Sequence, residues 1–305
     1  MRPYRILLCA ALAAVLVACG DAYPQTVIKT KDGKVVIQLK DPGAEPRKRL
    51  HYQLEEGQAA KMDIAMEMAM RQKIRGRTKT MAPMKMAMRM AFEPATRTDD
   101  GNLRLDFSLE KVDMGALGNA PGVAEKLEQL EQLSGWVIVT PHGCAVDMGI
   151  ELPDGLPDGM AQFHAEIKKS FSQMPMIFPE QPIGVGAVWE IVMPMSMYGM
   201  TLEQTLAYKL VELDGTRGKL EISIEQKASG KMKPPGMPPS VEAKIDFLKS
   251  EGSGTMEFDL NSIVPTAEMK LKVDMKMSIS MDGEEDEVVE MGMDLVLSMR
   301  PVPVK

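Results

Sequence analysis

Apolar and polar residues alternate one by one along several long segments of this sequence. Methionine, isoleucine and phenylalanine occupy one parity of residues 62–70 and 84–92, whereas charged residues and alanine occupy the other parity. Successive side chains of a β-strand point to opposite faces, so each segment fits a strand that is buried on one side only. We therefore predict two antiparallel strands, joined through Gly76, with one methionine-rich face and one solvated face.

The same pattern recurs over most of the chain. We predict further strands over residues 103–109, 136–140, 145–152, 187–198, 201–213, 218–228, 241–248, 252–260, 264–281 and 287–300. Residues 269–281 keep one parity for longer than an average strand, which predicts a strand that bends around a core. An Asp32-Gly33 pair between two β-branched runs predicts a small separate hairpin near the N-terminus.

Two segments have helical spacing instead. Residues 123–133 and 161–174 place apolar residues on one stripe, and each ends at a Gly or Pro. Together these elements predict a mainly β fold, namely a curved antiparallel sheet or partly closed β-barrel with two helices on its concave face. A chain of 305 residues is long enough for one such large domain, which we place at residues 50–305.

The N-terminus has the features of a secretion signal. Arg2 and Arg5 precede an uncharged apolar stretch over residues 6–17, which is shorter than a transmembrane helix. Leu16-Val17-Ala18-Cys19 resembles a bacterial lipobox. The alternative is an ordinary signal peptide cleaved nearby. With the lipobox interpretation, we assign residues 1–18 to a signal peptide and residues 19–49 to an acylated tether that includes the small hairpin.

The lipobox resemblance implies lipidation at Cys19. Two or three acyl chains on this residue would anchor the protein stably in a membrane. The expected location is the bacterial cell envelope, facing the periplasm, and Gly20 favours the outer over the inner membrane. Cys9 leaves with the signal, so only Cys144 keeps a free thiol and no intramolecular disulfide is expected. The net charge of −7 argues against nucleic acid as a partner.

Three short segments resemble known secreted proteins when they are taken together. They are Leu50–Gly57 before the first long strand, Ile183–Trp189, and Gly252–Leu260. Their order resembles an uncharacterised family of secreted bacterial β proteins defined by a domain of unknown function. The predicted sheet with two helices is also distantly similar to half-barrel lipoprotein carriers of the LolA and LppX type. Neither resemblance implies a catalytic residue.

Methionine is the unusual component of the composition, with 29 residues. Its flexible thioether suits an irregular solid core, and it equally suits an apolar cavity that adapts to varied ligands. Thioethers also select Cu(I), which leaves a copper site as a third interpretation. If there is a cavity, we expect its lining to include Met66, Met68, Met86, Met88, Met275, Met277 and Met293.

Other candidate chemistry is weak. His142 and Cys144 flank a predicted turn at Gly143, but the sequence identifies no third orienting group, so we interpret them as a polar turn and a buried thiol. We predict no catalytic residue, resident metal or cofactor. The expected function is a membrane-anchored, non-enzymatic envelope lipoprotein that binds a lipid or acyl chain. The alternatives are a structural or assembly module with a solid core, and a periplasmic Cu(I)-binding protein.

Overall fold

The computed structural model describes residues 23, 25–30, 33–54, 57–119, 127–128, 130–151, 177–197, 200–229, 231–232, 242–280 and 287–304. The signal peptide, Cys19 and the segment 161–174 lie outside these residues. The strands are β1 (Thr26–Thr30), β2 (Gly33–Asp41), β3 (Ala60–Ile74), β4 (Arg77–Thr80), β5 (Met84–Phe92), β6 (Thr96–Arg97), β7 (Leu103–Asp113), β8 (Ser134–Val139), β9 (Ala145–Glu151), β10 (Val188–Met197), β11 (Met200–Asp214), β12 (Arg217–Ser229), β13 (Lys231–Met232), β14 (Glu242–Asp259), β15 (Thr266–Ser280) and β16 (Glu287–Val302).

All these strands belong to one antiparallel sheet. Its order is β1-β2-β10-β11-β12-β14-β15-β16-β3-β5-β7-β8-β9, and the short strands β4, β6 and β13 pair beside it. The end strands β1 and β9 lie next to each other, so the sheet is nearly closed into a barrel. The predicted mainly β, antiparallel architecture is confirmed.

The methionine-rich parity faces the core, as the alternation predicts. In β3 the side chains of Met62 and Ile64 are buried, whereas the intervening Asp63 pairs with Arg89 on the opposite face. The turn between β3 and β4 uses Arg75 and Gly76, both with positive φ. The long alternating run near the C-terminus is a single 15-residue strand, β15.

The break predicted between residues 248 and 252 does not exist. Residues 242–259 form one 18-residue strand, β14, with a bulge between Ile245 and Phe247. Two separate strands were predicted here, but Gly252 and Gly254 lie within a single strand. A Cβ at Gly254 would lie 2.4 Å from the Glu268 carbonyl oxygen. These glycines therefore permit close strand approach.

The N-terminal hairpin is not a separate element of a tether. Strand β2 pairs with β10 over Val36–Asp41, and Ile37 and Leu39 are buried in the main core. The following proline-rich segment is also held by the body, since the Ala44 N–H donates to the Val185 carbonyl oxygen at 2.8 Å. Polar composition suggested a linker, but backbone hydrogen bonds fix this segment in place.

The two predicted helices are not present as complete elements in the described ranges. A 3-10 helix spans Gly115–Asn119, and Leu127, Glu128 and Leu130 have helical geometry. Leu127 and Leu130 pack against the main core. Residues 131–133, predicted to end the first helix, are described and are not helical, and β8 begins directly after them. Residues 123–126 and 129 of the first predicted helix and the whole of the second lie outside the described residues. In the described ranges, no helix has the length and apolar character needed to cross a bilayer.

The buried side chains form two clusters on the inner face of the sheet. The main core includes fully buried Trp189, Phe178 and Leu210. A smaller cluster consists of Ala243, Met277 and Val289, with Ile74, Met275, Ile279 and Met291 packed against it. The long strands β14, β15 and β16 run from one cluster to the other. The inner face of the sheet therefore includes a middle part that lies between the main core and the small cluster.

Candidate ligand-binding face

The strand register defines rows of side chains across the inner face. Residues directly opposite each other in antiparallel strands project from the same side of the sheet. One row crosses from β10 to β3 and consists of Met193, Gln204, Gln226, Ser250, Val273, Met293 and Met70. It lies between a row that packs on the main core and a row that packs on the small cluster.

A group of apolar side chains around this row is only half-buried and belongs to neither cluster. We call it the methionine tract, and it consists of Met66, Met68, Met84, Met86, Val273, Met293 and Leu295. Met66 lies opposite Met86, and Met68 lies between Met84 and Leu295 in the register. The tract is therefore a continuous apolar surface over β5, β3, β16 and β15.

Beyond the methionine tract, the register row that contains Val273 and Met293 continues through three polar side chains. The Ser250 hydroxyl donates to Gln226 Oε1 at 3.0 Å, and Gln226 Nε2 donates to Gln204 Oε1 at 2.8 Å. We call these three residues the polar ladder. Ser250 is only 4% exposed. A buried hydroxyl is stable there because it is hydrogen-bonded, which fixes the orientation of the neighbouring amide.

The structure divides the predicted cavity-lining residues into three groups. Met66, Met68, Met86 and Met293 lie together in the methionine tract. Met88 packs against the main core, whereas Met277 is buried within the small cluster and Met275 packs on it. Alternation predicted their common face but could not predict which parts of that face are covered.

A small cavity inside the main core is lined by methionines that the sequence analysis did not select. Its volume is about 90 Å³. The methionines at its wall are Met62, Met90, Met148, Met256 and Met299. Met62, Met90 and Met299 lie in predicted strands with alternating methionines, but Met148 and Met256 are isolated in sequence. This volume is far below the several hundred Å³ of a typical small-molecule pocket.

A cluster of aromatic side chains fills the main core next to β10. The rings of Trp189 and Tyr208 stack with their centroids 5.4 Å apart, and Phe178 meets Phe258 edge-on at 5.1 Å. The Trp189 indole N–H donates to the Ile177 carbonyl oxygen at 3.0 Å. Burial raises the pKa of the Tyr52 and Tyr208 hydroxyls well above their usual range. These groups are neutral and form a rigid end to the inner face.

The His142 and Cys144 segment is a turn with a buried thiol. Cys144 is 1% exposed, and burial raises its pKa to about 11. His142 Nδ1 lies 2.9 Å from the Leu50 carbonyl oxygen, and its ring is 6.5 Å from that of His51. The sequence did not predict that these two histidines are close in space, because they lie far apart along the chain. Within the described ranges, no group of three or more His, Cys, Asp and Glu side chains could hold a metal ion.

A second concavity lies at the other end of the sheet. It has a volume of about 440 Å³ and is bordered by charged side chains, the exposed Phe247 and Met275. Lys73 pairs with Glu290 at 3.1 Å, and Arg71 approaches Asp274 at 4.0 Å. The charges on its wall thus largely neutralise one another.

Comparison with known proteins gives one family match. Residues 161–263 match a family of unknown function (DUF6263). This range includes the whole of β10, β11, β12, β13 and β14, and therefore all three residues of the polar ladder. No curated protein matches the sequence. The expected resemblance to a family of unknown function is confirmed for these residues, which make up less than half of the sequence.

Proposed function

We propose that this protein is a membrane-anchored envelope lipoprotein that binds an apolar ligand, such as a lipid or acyl chain, on the methionine tract. One observation carries the proposal. The methionine tract is a continuous apolar surface across neighbouring strands. It is half-buried and packs against neither core cluster. An apolar surface of this kind gains free energy when a ligand removes it from water.

The chemistry of the tract suits a ligand of variable shape. Unbranched thioethers change rotamer at low cost and make favourable dispersion contacts with alkyl chains. The cavity of about 90 Å³ in the main core is too small for a lipid, so the tract is the better candidate surface.

The position of the first strand supports a short connection to the membrane. β1 begins at Thr26, seven residues after Cys19. Seven residues span at most about 25 Å when fully extended. A protein acylated at Cys19 would therefore hold its sheet close to the lipid surface, where an apolar ligand is available. The envelope location and the preference for the outer membrane remain part of this proposal.

The ligand test uses a fluorescent apolar probe, N-phenyl-1-naphthylamine, titrated into the mature chain. We expect saturable binding, and we expect Met66→Gln and Met293→Gln to weaken it about tenfold, because an unpaired amide against an alkyl or aromatic group is costly. Val296→Gln is the matched control, since Val296 is 38% exposed on the outer face of β16. Equal binding by all variants, or none by the wild type, would favour the solid structural module instead.

The anchoring test is independent of the ligand. The wild-type protein should partition into the detergent phase, whereas Cys19→Ser should remain in the aqueous phase. A Ser variant that is processed normally and stays in detergent would contradict lipidation at Cys19.

One register pattern also favours the Cu(I) alternative. Met66 lies opposite Met86, and Met68 lies opposite Met84, so adjacent strands present four thioethers on one face. Thioether sulfur is a preferred ligand of Cu(I). Replacing all four with Leu conserves volume and removes only sulfur. Tight Cu(I) binding by the wild type that is absent from this variant would establish the copper function over lipid binding.

A further inference from the structure

The two hydrogen bonds of the polar ladder run in the same direction from donor to acceptor along the row. Ser250 gives its hydroxyl hydrogen to Gln226, and Gln226 gives an amide hydrogen to Gln204. Both amide oxygens thus accept within the ladder. Among the described residues, nothing accepts from the Gln204 Nε2 group, so the ladder ends in a free donor. An amide donor at a half-buried position gains from meeting an acceptor.

The free donor lies in line with the methionine tract. Gln204, Val273 and Met293 belong to the same register row. Neighbouring strands are about 4.8 Å apart, so roughly 19 Å separates the Gln204 strand from the Met293 strand. An extended acyl chain of ordinary length covers this distance. A head group at Gln204 would therefore place its chain across the tract.

The side chains beside the free donor indicate a neutral acceptor. On the inner face, Gln204 lies between Leu202 and Leu206 along β11 and opposite Met193 of β10. The adjacent ladder residues carry no charge. Among the described inner-face neighbours of Gln204 in the register, none is a cation, so an ionised carboxylate or phosphate would lose its hydration here without compensation. A carbonyl oxygen of an ester loses much less and needs only the amide donor.

We propose that the ligand is a neutral ester lipid, whose carbonyl oxygen accepts a hydrogen bond from Gln204 and whose alkyl chain lies along Val273, Met293 and Met68. This inference rests on the proposed apolar-ligand function and specifies its substrate class. The ladder fixes the Gln204 amide, so little side-chain entropy remains to be lost when the ester binds.

The experiment compares three probes of similar chain length in displacement of N-phenyl-1-naphthylamine from the full mature chain. They are methyl dodecanoate, tetradecane and the dodecanoate anion. We expect the wild type to bind the ester about fivefold or more tighter than the alkane, the gain of one net hydrogen bond. We also expect the ester to bind more tightly than the anion. Gln204→Met should remove the preference for the ester while keeping alkane binding.

The matched control is Gln38→Met, on the outer face of β2, where Gln38 accepts from Lys40 Nζ. It should leave the preference for the ester unchanged. A second measurement needs no variant. The infrared carbonyl band of bound, ¹³C-labelled methyl dodecanoate should lie below its frequency in liquid alkane, because a hydrogen bond weakens the C=O bond.

The outcomes separate this inference from the function on which it rests. Equal binding of ester and alkane, tighter binding of the anion, or an unshifted carbonyl band would overturn the ester inference and leave apolar-ligand binding intact. Retention of the ester preference by Gln204→Met would also overturn it. Failure of all three probes to bind would overturn both proposals.

Discussion

Met66 lies directly opposite Met86 in the register of β3 and β5, and both side chains are half-buried. Four residues along β5, Met90 is only 2% exposed and faces Met62 across the same strand pair. The same residue type thus has two environments on one face. In β3 and β5, methionine is part of the packed core at one end of the strands and forms a half-buried apolar surface further along.

This difference predicts unequal costs of truncation on a single strand. Met90→Ala should lower the free energy of unfolding by about 2–5 kcal/mol, because it leaves a void in packed surroundings. Met86→Ala should lower it by about 1 kcal/mol or less, because less apolar surface is lost from the folded state. Urea denaturation of the two variants measures both values. Equal losses would show that the tract is packed as core.

Met277 is expected to behave as core despite its selection as a cavity residue. It is 4% exposed within the small cluster. Met277→Ala should destabilise the protein by about 2–5 kcal/mol, whereas Met277→Leu should cost less than about 1.5 kcal/mol because volume is conserved. Neither change should alter binding of the apolar probe. Thermal denaturation with a parallel probe titration tests this, and loss of binding in the Leu variant would place Met277 in the site.

The Cys144 thiol should be unreactive in the native state. Burial raises its pKa from 9.0 to about 11. At pH 8 roughly one molecule in a thousand would carry the thiolate. Native mature protein should therefore react slowly with a disulfide reagent and give one equivalent after denaturation. Fast native labelling that disappears in Cys144→Ala would contradict the buried environment.

The same pKa shift predicts the sign of a pH effect. The folded state holds the Cys144 proton more tightly than the unfolded chain, so this contribution to stability is complete below pH 9.0 and is lost as pH rises towards about 11. Cys144→Ala should reduce this alkaline loss of stability. Urea titrations at neutral and alkaline pH give the comparison, and an identical alkaline decline in both proteins would argue against it.

Gly254 should be intolerant of a methyl group. A Cβ there would lie 2.4 Å from the Glu268 carbonyl oxygen, and Gly254→Ala should cost about 1–3 kcal/mol in stability. Gly118→Ala is the matched control, because its Cβ would lie 3.5 Å from Leu127 Cδ1, an ordinary contact. The control should stay within about 0.5 kcal/mol of the wild type. Comparable stability of both variants would contradict the close packing of β14 on β15.

The sequence predicts the strands well because a period of two is a local property. Alternation in β3, β5 and β15 identifies both the strand and its core-facing parity without any knowledge of neighbours. The predicted break within β14 is wrong, because glycine in a turn and glycine at a close strand contact, as at Gly252 and Gly254, are alike in sequence. Likewise, Ile37 and Leu39 gave no local sign that β2 pairs with the distant β10.

The candidate site could be predicted only in part for the same reason. Met66, Met68, Met86 and Met293 share a face by parity, and this much is visible in the sequence. Which methionines are covered depends on strands that meet from far along the chain. The polar ladder also comes from register, because Gln204, Gln226 and Ser250 lie on three separate strands. No pattern within one segment could have joined them.

Native mass spectrometry of the mature protein purified from its own envelope shows whether the methionine tract carries a ligand. We expect a noncovalent adduct with the mass of a small apolar molecule on the wild type. The adduct should be reduced or lost in Met66→Gln and retained in Val296→Gln, whose substitution lies on the outer face. A wild-type protein that carries only its covalent lipid, with no adduct in any preparation and no saturable probe binding, would contradict the claim that the methionine tract is a ligand surface.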